Sequence, residues 1–108
     1  MSVAVFLTDS AARDLEEIYD YVADHDAPGK AERLVNRIEK VFTSLSASPL
    51  RGAFPQELLA LGIREYREVF FKPYRIVYRV LGDAVYILLI VDGRRDMQSL
   101  LQRRLLEM

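Results

Sequence analysis

Six arginines, Arg64, Arg67, Arg75, Arg79, Arg94 and Arg95, crowd the final third of this 108-residue chain, with Lys72 and several tyrosines among them. A guanidinium presents a fixed fork of donors that matches two phosphate oxygens, and in a dry site it stabilises charge developing in phosphoryl transfer. A metal-independent ribonuclease can be built on such a set, provided a general acid and a general base accompany it. The same forks pair equally well with carboxylates, of a protein partner or of this chain. Internal pairing is the favoured reading for Arg75 and Arg79, with Asp83 or Asp92 as partners for Arg79. Two further arginines, Arg103 and Arg104, lie near the C-terminus beside Leu105 and Leu106.

Other chemistries lack their residues. The sequence has no glycine-rich phosphate loop, no Gly-x-Ser-x-Gly elbow and no His-Glu-x-x-His pair. With no cysteine and one histidine, His25, neither a metal nor another cofactor is expected, and thiolate chemistry is excluded. Residues 1–63 hold 6 basic and 10 acidic side chains, whereas residues 64–108 hold 9 basic and 6 acidic ones. That asymmetry can offer a basic face to an acidic partner, but a pI near 5.8 argues against broad nucleic-acid binding. Val3–Leu7 is too short for a secretory leader and no apolar run reaches membrane-spanning length, so a cytoplasmic protein is expected.

The elements that must hold these arginines can be read from periodicity. Residues 2–8 read as a short strand, with Thr8, Asp9 or Ser10 available to cap a helix. Leu15, Ile18, Tyr19 and Val22 make one apolar stripe, and Asp14, Glu16, Glu17, Asp20 and Asp24 read as its solvated acidic face. Pro28 ends that helix near His25 and opens a second, predicted to run to about Ala47. Ser46 to Ile63 is irregular, with one helical turn at residues 56–60. Three strand-like runs follow, at 64–71, 74–80 and 85–91, separated by Lys72-Pro73 and Gly82-Asp83. The last is almost wholly apolar, as befits a central strand buried on both faces. A final helix with a narrow, exposed apolar edge begins at Met97. The expected architecture is β-α-α-β-β-β-α, an α+β domain over residues 1–108 with a helical hairpin packed on a small antiparallel sheet.

Four stretches, in order, carry a family resemblance. They are the helix Ala11-Ala12-Arg13-Asp14-Leu15-Glu16-Glu17-Ile18-Tyr19-Asp20-Tyr21-Val22, the second helix with Ala31-Glu32-Arg33-Leu34 ending in the loop Ser48-Pro49-Leu50-Arg51-Gly52, the strand Pro73-Tyr74-Arg75-Ile76-Val77-Tyr78-Arg79-Val80 and the closing Gly93-Arg94-Arg95-Asp96. Together they resemble the ParE/RelE toxins of type II toxin–antitoxin modules, more closely the ParE branch. The resemblance implies a toxin that inhibits DNA gyrase, by way of the gyrase A polypeptide, and is neutralised by a ParD-like antitoxin. It also implies Arg75, Arg79, Arg94, Arg95, Arg103 and Arg104 as residues contacting target or antitoxin, with no catalytic residue.

The RelE branch implies instead an mRNA endoribonuclease, with Arg75, Arg79 and Arg94 on phosphate and Asp92 or Tyr86 carrying the proton. Against that branch, Asp92 stands where histidine is frequent, neither tyrosine nor histidine follows Arg95, and Lys72 is the only lysine in the sheet region. A relative that binds its antitoxin but no longer poisons anything is the third expectation.

Overall fold

The computed structural model describes residues 2–107. Its elements run β1 (Ala4–Leu7), α1 (Asp9–His25), α2 (Pro28–Thr43), α3 (Gln56–Leu59), β2 (Tyr66–Phe71), β3 (Tyr74–Leu81), β4 (Ala84–Asp92) and α4 (Met97–Leu106). Thr8 is the residue that caps α1: its hydroxyl accepts from Ala11 N–H at 3.2 Å and donates to Ile87 C=O at 3.0 Å. One side chain thus starts the helix and ties it to the sheet. Pro28 occupies the first turn of α2, where its missing N–H costs nothing.

α2 ends at Thr43, short of the predicted Ala47, and a 3₁₀ turn fills Ser44–Ser46. The reason is local. Thr43 Oγ1 bonds back to Glu39 C=O at 2.8 Å and Ser44 Oγ to Val41 C=O at 2.6 Å, competing with the helical ladder.

The sheet order is β1-β4-β3-β2. β2–β3 and β3–β4 are antiparallel hairpins, while β1 returns parallel to β4, Ala4↔Ala84 to Leu7↔Ile87. The β3–β4 turn places Gly82 at φ 59°, a conformation that glycine adopts without strain. The β3–β4 register slips from Val77↔Leu89 to Tyr78↔Ile87, making Leu88 a bulge. Ile87 and Ile90 therefore face the hairpin, while Leu88 and Leu89 both enter the opposite cluster.

Both faces of the sheet are covered, as expected of the apolar β4. On one, Ala11, Leu15, Ile38, Phe42 and Leu45 of the helical layer pack against Val69, Ile76, Tyr78, Val85, Ile87 and Ile90. Burying each large apolar side chain contributes about 1.5–3 kcal/mol, which neither helix could gain alone. On the other, Leu58 of α3 and Met97 and Leu101 of α4 cover Val77, Leu88, Leu89 and Val91. The apolar edge of α4 is thus turned inward, contrary to the expectation of an exposed stripe; Leu106 alone of its leucines is largely exposed, at 85%.

Candidate binding surface

Arg75 leaves β3 on the face opposite the helical hairpin and is fully engaged. Its Nε donates to Glu68 Oε1 at 2.8 Å, while Nη1 and Nη2 donate to the two oxygens of Glu57, each at 2.8 Å. The cluster ties α3 to β2 and β3. Its two carboxylates respond in opposite directions. The Arg75 hydrogen bond holds Glu57 below its ordinary range, whereas burial pushes Glu68 up despite the same guanidinium. Glu68 is the more deeply buried, so desolvation outweighs attraction there. A phosphate approaching Arg75 would meet two carboxylates and a guanidinium with its fork already filled.

At the end of β4, Arg94 Nη2 lies 2.6 Å from Asp92 Oδ2, and Arg94 N–H also donates to Asp92 Oδ1 at 2.9 Å. Held by Arg94, the Asp92 carboxyl titrates at about 2. A group ionised at all ordinary pH cannot hand a proton to a leaving oxygen. Asp96, read as part of the closing signature, is the N-cap of α4: it accepts from Ser99 N–H at 3.2 Å and Ser99 Oγ at 2.8 Å.

Arg104 crosses from α4 to Asp14 of α1, with Nη1–Oδ2 at 2.8 Å and Nη2–Oδ1 at 3.0 Å. Asp14 is buried, not part of the solvated acidic face on which the helical pattern placed it. Its position did carry a signal: Asp14 lies three residues after the buried Ala11 and four before Ile18, inside the apolar stripe.

Arg79 pairs with neither Asp83 nor Asp92; its guanidinium lies 5.6 Å from the centre of the Tyr66 ring. It lines a cavity of about 260 Å³ with Arg64 and Arg67, away from the remaining arginines. Arg67 serves the loop before β2, donating to Leu50 C=O at 3.1 Å and Gly52 C=O at 2.8 Å. Tyr78 holds the same loop, its hydroxyl donating to Pro49 C=O at 2.7 Å and accepting from Gly52 N–H at 3.0 Å.

Of the six candidate residues, Arg95, Arg103 and Arg104 meet around one polar cavity of about 240 Å³ between α1 and α4, joined by Arg13. Arg94 and Arg95 border a neighbouring cleft of about 440 Å³ floored by Ile18, Val22, Ile90 and Val91. Arg94, Arg95 and Arg103 are exposed. Among the described residues no side-chain ion pair engages Arg95 or Arg103. Arg75 and Arg79 stand apart from this group. No three His, Cys, Asp or Glu side chains among the described residues are grouped to hold a metal ion.

Comparison with known proteins agrees with this fold. Residues 5–97 match the family model described as the ParE toxin of the type II toxin–antitoxin system parDE. Toxin ParE3 of Caulobacter vibrioides is 33% identical over 100 residues, spanning 93% of this chain and 96% of that relative. A solved chain of the chromosomal ParDE system from P. aeruginosa superposes with a TM-score of 0.71 at 25% identity, over 84% of this chain and 96% of that one. The toxin–antitoxin complex RelBE2 from Mycobacterium tuberculosis gives 0.60 at 22% identity, over 85% and 92%. The free E. coli toxin RelE, in a doubly substituted form, gives 0.64 at 13% identity over 95% and 98%, a likeness of fold alone. With its β-α-α-β-β-β-α order, its ordered motifs and a match spanning most of its length, the chain belongs to the ParE toxin family of type II toxin–antitoxin systems.

Proposed function

We infer that this toxin arrests growth by binding DNA gyrase, on the gyrase A polypeptide, and breaks no covalent bond itself. It works as one domain in the cytoplasm, held inactive by a ParD-like antitoxin. The single observation that carries the reading is the occupied fork of Arg75, whose donors are spent on Glu57 and Glu68. In a ribonuclease of this fold that strand arginine would have to be free for phosphate. One of the two proton carriers that reading would use, Asp92, is ionised from about pH 2 upward. What remains for recognition is the exposed cationic rim of Arg94, Arg95 and Arg103 beside α4. An acidic antitoxin tail suits that rim by charge, and the same rim can grip the target when the antitoxin is gone.

The test is induction of the chain without its antitoxin, with gyrase supercoiling and RNA integrity followed in parallel. DNA-damage signalling with protein synthesis continuing at first is expected, and purified toxin should block supercoiling while leaving RNA intact. Arg95→Glu combined with Arg103→Glu should abolish arrest without loss of thermal stability, because both side chains are exposed. Early collapse of translation with cut mRNA would replace this reading with the ribonuclease. Harmless accumulation of folded, soluble protein would indicate a relative that only binds its antitoxin.

A further inference from the structure

The sheet has an unfinished edge. β1 stops at Leu7, opposite Ile87, but β4 runs on to Asp92 with β3 on one side and no strand on the side of β1. Backbone groups along a bare edge must be hydrated or paired by other means. Here two side chains pair them: Ile90 N–H donates to Asp14 Oδ2 at 2.9 Å, and Leu88 C=O accepts from Arg104 Nη1 at 2.7 Å. A carboxylate and a guanidinium thus supply the acceptor and donor that a longer β1 would have presented. They also bind each other through two hydrogen bonds, although 90 positions separate them in sequence.

The same pair decides how α4 is held. Met97 and Leu101 anchor its first half in the second core cluster, and the Asp96 cap acts only within the helix itself. Beyond Leu101 no side chain of α4 is fully buried: Gln102, Arg103 and Leu106 are exposed, and Arg104 and Leu105 half-buried. Arg104 is the tie from this distal half to both α1 and β4; besides it, among the described residues, only the exposed C-cap Glu107 reaches α1, accepting from Ser10 Oγ at 3.2 Å.

The geometry points to a latch: Asp14 and Arg104 stand in for the missing strand and, through that bond, fasten the C-terminal helix, so that α4 opens as a unit when the pair is broken. This property belongs to the chain and holds whatever the toxin's target. Breaking the pair uncovers Leu88, Leu89 and Val91, which α4 covers when docked. Asp14 and Arg104 are positioning residues, acting on the helix that carries Arg103.

Amide hydrogen exchange of the full chain, read residue by residue by NMR, tests the latch. Asp14→Asn keeps an oxygen that can accept from Ile90 N–H but loses the charge that holds Arg104. The α4 amides should then exchange faster by roughly tenfold or more, with Ile76 and Val77 in β3 changing by less than about threefold. Arg104→Met should release α4 in the same way, providing a second variant should one fail to fold. Unchanged α4 exchange in either folded variant would overturn the latch. So would acceleration of α4 only in step with Ile76 and Val77, which signals global unfolding.

Discussion

Arg75→Met should be strongly destabilising, and the deficit should depend on pH in a stated direction. The substitution keeps the aliphatic stem in place but removes three charge-assisted hydrogen bonds, each 2.8 Å long. Glu57 can recover water, since its side chain retains 24% exposure; Glu68, at 6%, cannot. The cost is therefore set by one buried, unpaired carboxylate, about 3 kcal/mol on the scale of broken buried pairs. For a domain of this size that corresponds to a fall in Tm of roughly 12 °C or more. The sign with pH follows from both carboxylates. Glu57 is depressed in the parent, so its contribution is present above the ordinary 4.5 and lost as pH falls through its folded value. Glu68 is already raised by burial, and without Arg75 it climbs further; the penalty for its charge is relieved as pH falls through that raised value. The Glu68 effect makes the gap between parent and variant widest at neutral pH and narrower toward 4.5, and the Glu57 effect narrows it further only below 4.5. Urea unfolding across that interval measures it. A gap that is flat with pH, or below about 1 kcal/mol at neutrality, would refute the reasoning.

Gly52→Ala should cost about 2 kcal/mol or more by thermal unfolding, because a Cβ there would sit 2.6 Å from Tyr78 Oη and 2.7 Å from Glu68 C=O. Adding Tyr78→Phe should not rescue it, since the Glu68 carbonyl is backbone and cannot withdraw. Tyr78→Phe alone should cost about 1–2 kcal/mol, leaving Gly52 N–H and Pro49 C=O without their shared partner. The Asp92 carboxyl should titrate in NMR at about 2, and Arg94→Gln should move it back toward 3.8; an unmoved midpoint would show that Arg94 is not the cause.

Much of this fold was legible because its signals are local and repeated. The spacing of Leu15, Ile18 and Val22, the prolines at 28 and 73 and the Gly82-Asp83 turn fix elements that need no knowledge of the rest of the chain. The apolar run of β4 likewise announced burial on both faces. What stayed hidden depends on contacts between distant residues. Asp14 looked like one acid among five on α1, and only the short β1 and the bulge at Leu88 give it a backbone amide to accept from. Glu57 and Glu68 carry no local signal of their role, because nothing in a single strand or turn shows which carboxylate will meet Arg75. Of the candidate site, internal pairing was legible for Arg75; for Arg79 it was not, as an aromatic ring took the place of the expected aspartates.

That distinction matters for how chemistry travels with a fold. An arginine on a strand is an instrument for phosphate only while its fork is empty, and emptiness is decided by residues outside the arginine motif. Here Glu57 reaches Arg75 from a single helical turn in an otherwise irregular stretch, and Glu68 reaches it from the neighbouring strand. The close approach of Gly93 to the Arg75 stem, where a Cβ would fall 2.8 Å from its Cδ, fixes the guanidinium's path between those two acids. A change at position 57 or 68 would therefore alter the electrostatics of the sheet face without touching any arginine or the backbone topology. Two proteins can share this sheet, this hairpin and these arginines yet differ in whether a phosphate could be held, which is why a likeness of fold leaves the activity to be argued from the site.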